Sequence, residues 1–313
     1  MQRRAALLIV LASAFPMITP YAAPKDAPLD VQWLDTAWDF ERPVESEARF
    51  RSELDSLPAD SSARLELMTQ IARAQGLQRR FDAAHATLDG VEKALPERPA
   101  RVAVRYLLER GRTFNSSVEP ERAVPLFGAA LDRAREAHED FLAIDAAHML
   151  GIAAPADRRL AWNLEAVAMT DRTADSRSKR WLASLYNNIG WTYHDRGDYA
   201  SALAYFERAL PAWQARGGVA QVRIAWWSIA RTYRSLGRLD EALAIQQRLA
   251  RETADGPDGY VFEELGEILL AKGDAAAARP NFARAYGLLE AEEGLRATEP
   301  ERLARLKRLG GLE

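Results

Sequence analysis

Cysteine is absent from this 313-residue chain. That excludes disulfides, thiol catalysis, thiolate metal sites and the cysteine that a bacterial lipid anchor modifies, so burial alone must supply stability. Long apolar runs are also scarce. The one run of note, Ala5 to Phe15, falls well short of the roughly 20 residues a membrane-crossing helix needs, so no membrane insertion of the mature chain is expected. No block of like charge is present: 42 basic residues face 45 acidic ones, for a net charge of -3. An acidic surface repels phosphate backbones, which excludes nucleic acid as a partner. No stretch alternates strictly between apolar and polar residues, so strands are not expected and the chain reads as all-helical. There is no Gly-x-Ser-x-Gly elbow, no His-Glu-x-x-His and no Walker-type loop, so the sequence predicts no catalytic residue, no metal and no cofactor.

What is present begins with an address. Arg3 and Arg4 precede the short apolar run, and small residues lead to Ala22 and Ala23, the pattern of an export signal over residues 1–23. Pro16 and Pro20 break any helix continuing from it. The expected product is an exported, periplasmic protein, soluble after cleavage, and loss of Arg3 and Arg4 takes its net charge from -3 to -5.

Internal repetition decides the fold. Small residues at 72, 111, 151, 190, 230 and 266 are spaced by 39, 40, 39, 40 and 36. Around Gly190 stand Tyr186, Ile189, Trp191 and Tyr193, followed by Gly197, Tyr199, Ala202, Phe206 and Ala209. Related copies run through Trp226, Ala230, Tyr233, Gly237 and Ala242, where Gln246 replaces the aromatic residue, and through Leu265, Gly266, Gly273, Ala278, Phe282 and Ala285. Upstream copies carry Gly111, Ala123 and Phe127, and Ala72, Ala84 and Leu88. A copy beginning at Leu150 and Gly151 has its first helix shortened by Pro155, and its second helix, Leu160 to Met169, fits poorly.

This pattern resembles the tetratricopeptide repeat (TPR) family, in a long-period variant of about 39–40 residues. The resemblance implies an all-α α-solenoid, a superhelical stack of about six helical hairpins with N- and C-terminal capping helices. The expected division is a flexible lead from Pro24 to Pro28 and capping helices within 24–64, repeats over 65–297 (65–103, 104–143, 144–182, 183–222, 223–258 and 259–297), and a cap over 298–313. Thr298 and Glu301 suggest a capping box opening that last helix.

In the family the first helix of each hairpin lines a concave surface that binds extended peptides or partner helices. Carried over residue by residue, that surface would present Arg112, Asn115, Asp145, His148, Asn187, Asn188, Trp191, His194, Trp227, Arg231 and Arg234, with Glu263 and Glu267 at the far end. Arg231 and Arg234, three apart, share a helix face and suit a carboxylate, whereas Trp191 and Trp227 would sandwich an apolar or cationic group. Glu263 and Glu267, with Glu264 beside them, would repel an acidic segment and set its direction. The resulting expectation is an exported, non-catalytic scaffold that holds a protein or peptide partner, with acidic or carboxylate groups expected on that partner. The alternative is an enzyme or regulatory subunit acting on a glycan or peptide through the His148, Asn187 and His194 region. His85 and His138 are expected near solvent on second helices.

Overall fold

The computed structural model describes residues 25–312; the predicted export signal lies outside the described residues. Among the described residues there are helices and turns but no strand. Among the described residues two helices come first, α1 (Val31–Ala37) and α2 (Pro43–Ser56). Six hairpins follow: α3 (Ser62–Leu77) with α4 (Phe81–Glu92), α5 (Ala100–Ser116) with α6 (Pro120–Glu136), and α7 (Asp140–Ala153) with α8 (Ala156–Arg172). Then come α9 (Leu182–Asp195) with α10 (Tyr199–Arg216), α11 (Val219–Ser235) with α12 (Leu239–Glu252), and α13 (Gly259–Ala271) with α14 (Ala275–Leu289). The chain closes with α15 (Glu293–Thr298) and α16 (Pro300–Gly310). Each hairpin packs on the next, so the molecule is an all-α solenoid whose core runs along its length.

The hairpins close on a size match. A Cβ built at Gly111, Gly190 or Gly266 would stand 2.6–2.7 Å from the ring of Phe127, Phe206 or Phe282, and these three rings are buried. Where the small residue is Ala, at 72 and 230, the opposing position holds Leu88 or Gln246 instead of a ring. The third hairpin solves the same problem differently. Helix α8 forms in full despite its poor sequence fit, and Asn163 takes the aromatic place: fully buried, it donates from Nδ2 to the Gly151 and Arg159 carbonyl oxygens, each at 3.0 Å.

Between the helices of a pair, Gly197, Gly237 and Gly273 adopt left-handed conformations with φ of 78°, 76° and 81°. The first two hairpins make this turn with non-glycine residues, Arg79 (φ 59°) and Val118 (φ 67°).

Helix α16 takes the place of the first helix of a seventh hairpin, burying Leu303 and Leu306 against α14. Its expected capping box does not form. Thr298 is the last residue of α15 and its hydroxyl donates to the Gly294 carbonyl, while Glu299 caps α16 without a side-chain bond and Pro300 opens it. The expected flexible lead is tied down in its described part: Ser62 N donates to the Lys25 carbonyl oxygen at 2.8 Å and the Ser62 hydroxyl donates to Asp26 Oδ1 at 3.1 Å.

Candidate functional site

The inner stripe of the first helices differs between the two halves of the stack. In the N-terminal half it is a ladder of paired charges. Arg73 on α3 lies 3.7 Å from Glu109 on α5, and Arg112 donates to Glu109 at 2.7 Å and to Asp145 on α7. Asp145 and Glu109 are buried, and so is most of Arg112. Burial works against the Arg112 charge, but Asp145 and Glu109 outweigh it and hold the guanidinium above its ordinary pKa. His148 is buried with its ring 5.1 Å from that of Trp181, and burial pushes its pKa down to about 4. Arg112 and Asp145, expected on an open face, therefore join neighbouring first helices, and His148, expected there too, is covered. The reason is geometric: α3, α5 and α7 pack close enough for each side chain to reach the next helix, and the turn Ser176–Trp181 covers His148.

In the C-terminal half the stripe opens into a cleft of about 600 Å³. The structure brings six of the expected residues together there: Trp191, Trp227, Arg231, Arg234, Glu263 and Glu267. Tyr260 from α13, and Glu299, Arg302 and Arg305 beside and on α16, complete the lining. Buried Glu264 sits beneath it and takes both donors of Arg234, at 2.5 and 3.1 Å. Arg302 forks onto Glu263, its Nε 3.0 and 3.2 Å from the two carboxylate oxygens, and Arg305 pairs with Glu267. Glu263 and Glu267 are thus neutralised by α16 and do not stand as free repulsive charges. The sequence hid this, because α16 lies more than 30 residues away and outside the repeat pattern.

Arg231 is the exception among these arginines. Its side chain makes no hydrogen bond among the described residues; Glu264 Oε2 stands 3.5 Å from Nη1, and the guanidinium lies 5.4 Å from the centroid of Trp227. Trp227 is fixed by donating its Nε1 hydrogen to the Tyr260 carbonyl oxygen at 3.1 Å. The Trp191 and Trp227 rings are 5.9 Å apart and tilted by 39°, so they touch each other and leave no slot for a sandwiched group; together they form an aromatic floor.

The remaining expected residues flank this cleft or lie apart from it. His194 on α9 places Nε2 3.1 Å from the Ser235 hydroxyl, with its ring edge-on to Trp191 and Tyr199; partial burial, then Arg231, lowers its pKa. Asn187 and Asn115 are half-buried and make no side-chain hydrogen bond among the described residues, and Asn188 holds its Nδ2 buried without a partner. His148 and His194 have separate surroundings. Among the described residues no group of three His, Cys, Asp or Glu side chains is placed to hold a metal. His85 is half-buried against Phe114 and Arg110, and His138 lies in the turn after α6 with φ of 56°.

Residues 160–215 and 181–253, spanning α8 to α12, match the family described as tetratricopeptide repeat. No curated protein matches the sequence. Among solved structures, the chain is similar to a signal-transduction ATPase with a tetratricopeptide repeat sensor from Pyrococcus horikoshii. That similarity has 14% identity and a TM-score of 0.65, over 85% of this chain and 43% of the other, so this chain spans less than half of that protein. It is also similar to the apo form of the quorum sensor NprR from B. thuringiensis (15% identity, TM-score 0.64, 89% of this chain and 79% of that one). A tetratricopeptide repeat protein from Parabacteroides merdae is similar at 17% identity and a TM-score of 0.50, over 90% and 98% of the two chains. The repeat pattern, the six hairpins and the family match over residues 160–253 agree on a solenoid of tetratricopeptide-type repeats.

Proposed function

We propose that the protein is an exported, non-catalytic scaffold that holds a protein or peptide partner in the cleft between α9, α11, α13 and α16. The observation that carries this reading is Arg231, a cation without a hydrogen bond held over Trp227 at the wall of an aromatic-floored cleft. A guanidinium in that setting takes a carboxylate by charge-assisted bonds, and Trp191, Trp227 and Tyr260 offer apolar contact at low entropic cost. Three neighbouring arginines are occupied by Glu264, Glu263 and Glu267, so the cleft favours one carboxylate beside an apolar side chain over a run of acids. NprR, similar in fold, is also solved with its cognate peptide NprX, which supports a peptide as the class of partner. The separate surroundings of His148 and His194 speak against the alternative of a shared reactive centre.

The test is photocrosslinking in the native compartment from a reactive residue at position 299, on the exposed rim of the cleft, followed by Arg231→Ala. Capture of one partner whose binding the substitution weakens by about 2 kcal/mol, at unchanged thermal stability, supports the cleft. Normal binding by Arg231→Ala refutes it. Export is tested by fractionation: cytosolic protein retaining Met1 or Gln2 at its N-terminus refutes that part.

A further inference from the structure

A second surface lies away from the cleft, where second helices lead into the next first helix. The turn Ser176–Trp181 carries Arg177, Lys179 and Arg180, and Arg216 at the end of α10 reaches it. Arg216 Nη1 donates to the Arg180 carbonyl oxygen at 3.0 Å, and its guanidinium lies 4.9 Å from the Trp213 ring centroid. Two carboxylates serve this group: Asp175 holds Arg177 at 2.6 Å, and Asp35 on α1 holds Arg180. Lys179 and Arg216 have no ion-pair partner among the described residues, which leaves an excess of two positive charges on a chain of net charge -3. Partial burial of the guanidinium, then the adjacent Arg180 charge, push Arg216 below its ordinary pKa.

Directly beyond Arg216 the edge dips into a groove of about 520 Å³. Val219, Val222 and Trp226 give it an apolar wall, with Arg223 and Arg248 on its sides and Glu252 its one acidic lining residue. Arg248 is stacked on Trp226 at 4.2 Å, and Arg223 donates to the Glu252 carbonyl oxygen at 3.2 Å. Val219 is 65% exposed, an apolar side chain left in water three residues after Arg216.

We propose that this edge docks an acidic segment of a protein partner, with carboxylates on Lys179 and Arg216 and an apolar side chain in the groove over Val222 and Trp226. The cations are strung along an open surface, which suits the repeated carboxylates of an extended chain better than a single small anion. The adjoining groove adds apolar contact that inorganic anions and lipid headgroups do not use. Such a contact is independent of the cleft and adds avidity for a partner that engages both.

The test uses a fluorescein-labelled Glu-Glu-Leu-Glu-Glu peptide and fluorescence anisotropy with the purified protein. Saturable binding is expected at low salt, weakening as ionic strength rises. Lys179→Gln with Arg216→Gln, both exposed positions, should weaken it at least tenfold at unchanged Tm, in the parent and in an Arg231→Gln background that removes any contribution of the cleft. Absence of peptide binding, equal binding by the Gln-Gln-Leu-Gln-Gln peptide, or an unaffected double variant would overturn the proposal. Loss of binding in Arg231→Gln alone would move the peptide to the cleft and also overturn it. Binding of anionic phospholipid vesicles through Lys179 and Arg216, without peptide binding, would replace the protein partner with a membrane.

Discussion

The backbone of Gly190 passes so close to the ring of Phe206 that a Cβ at position 190 would stand 2.6 Å from the ring's Cε1. The same pair recurs at Gly111 with Phe127 and at Gly266 with Phe282. Interiors this dense do not yield cheaply, so Gly190→Ala should destabilise the protein by about 1–3 kcal/mol and Gly190→Leu by more. Urea unfolding measures both.

The fifth hairpin breaks that pairing and should be improvable. Gln246 is fully buried, and neither its amide nitrogen nor its oxygen has a hydrogen-bond partner. Gln246→Leu, which copies the pairing of Ala72 with Leu88, should stabilise by about 1–3 kcal/mol through relief of two unpaired polar atoms. Gln246→Phe alone should not stabilise, because the Ala230 methyl occupies the space a ring needs; adding Ala230→Gly should rescue it. A double-mutant cycle in urea reads the coupling.

Val118 holds a left-handed backbone with 83% of its surface exposed, so no packing compensates a conformation that β-branched residues avoid. Val118→Gly should raise stability by about 1 kcal/mol, seen as a higher urea midpoint at an unchanged m-value.

Asp145→Asn tests the charge ladder. It leaves the largely buried Arg112 with Glu109 as its remaining carboxylate, and breaking a buried pair costs about 3–5 kcal/mol. A near-neutral result in thermal unfolding would mean that Asp145 stands free of the ladder.

His148 should make the protein acid-sensitive. Its folded pKa of about 4 lies below the unfolded value, so the unfolded chain binds the proton first. The stabilisation from keeping it neutral is therefore complete above about pH 6.5 and is lost as pH falls from there toward pH 4. The loss amounts to about 3 kcal/mol. His148→Asn should lose less stability than the parent between pH 7 and pH 4.5, measured by urea unfolding at each pH.

The stack itself was written in the sequence, because each hairpin is closed by contacts within a span shorter than one repeat. Small residues near every fortieth position and a ring sixteen residues after Gly111, Gly190 and Gly266 are local facts, and a solenoid adds only neighbour on neighbour. The six cleft residues from Trp191 to Glu267 were legible for the same reason, since each is one step round its own helix from a repeat landmark. What required the tertiary structure is which of those side chains are already taken. Arg112 is satisfied by Asp145, 33 residues on, Arg234 by Glu264, 30 residues on, and Glu263 by Arg302, 39 residues on. Charge pairing across helices depends on separations of a few ångströms between elements, and periodicity carries no information at that scale. The same limit hid the cover that Trp181 places over His148, and it left Arg231 distinguishable from its neighbours only once the helices stood in place.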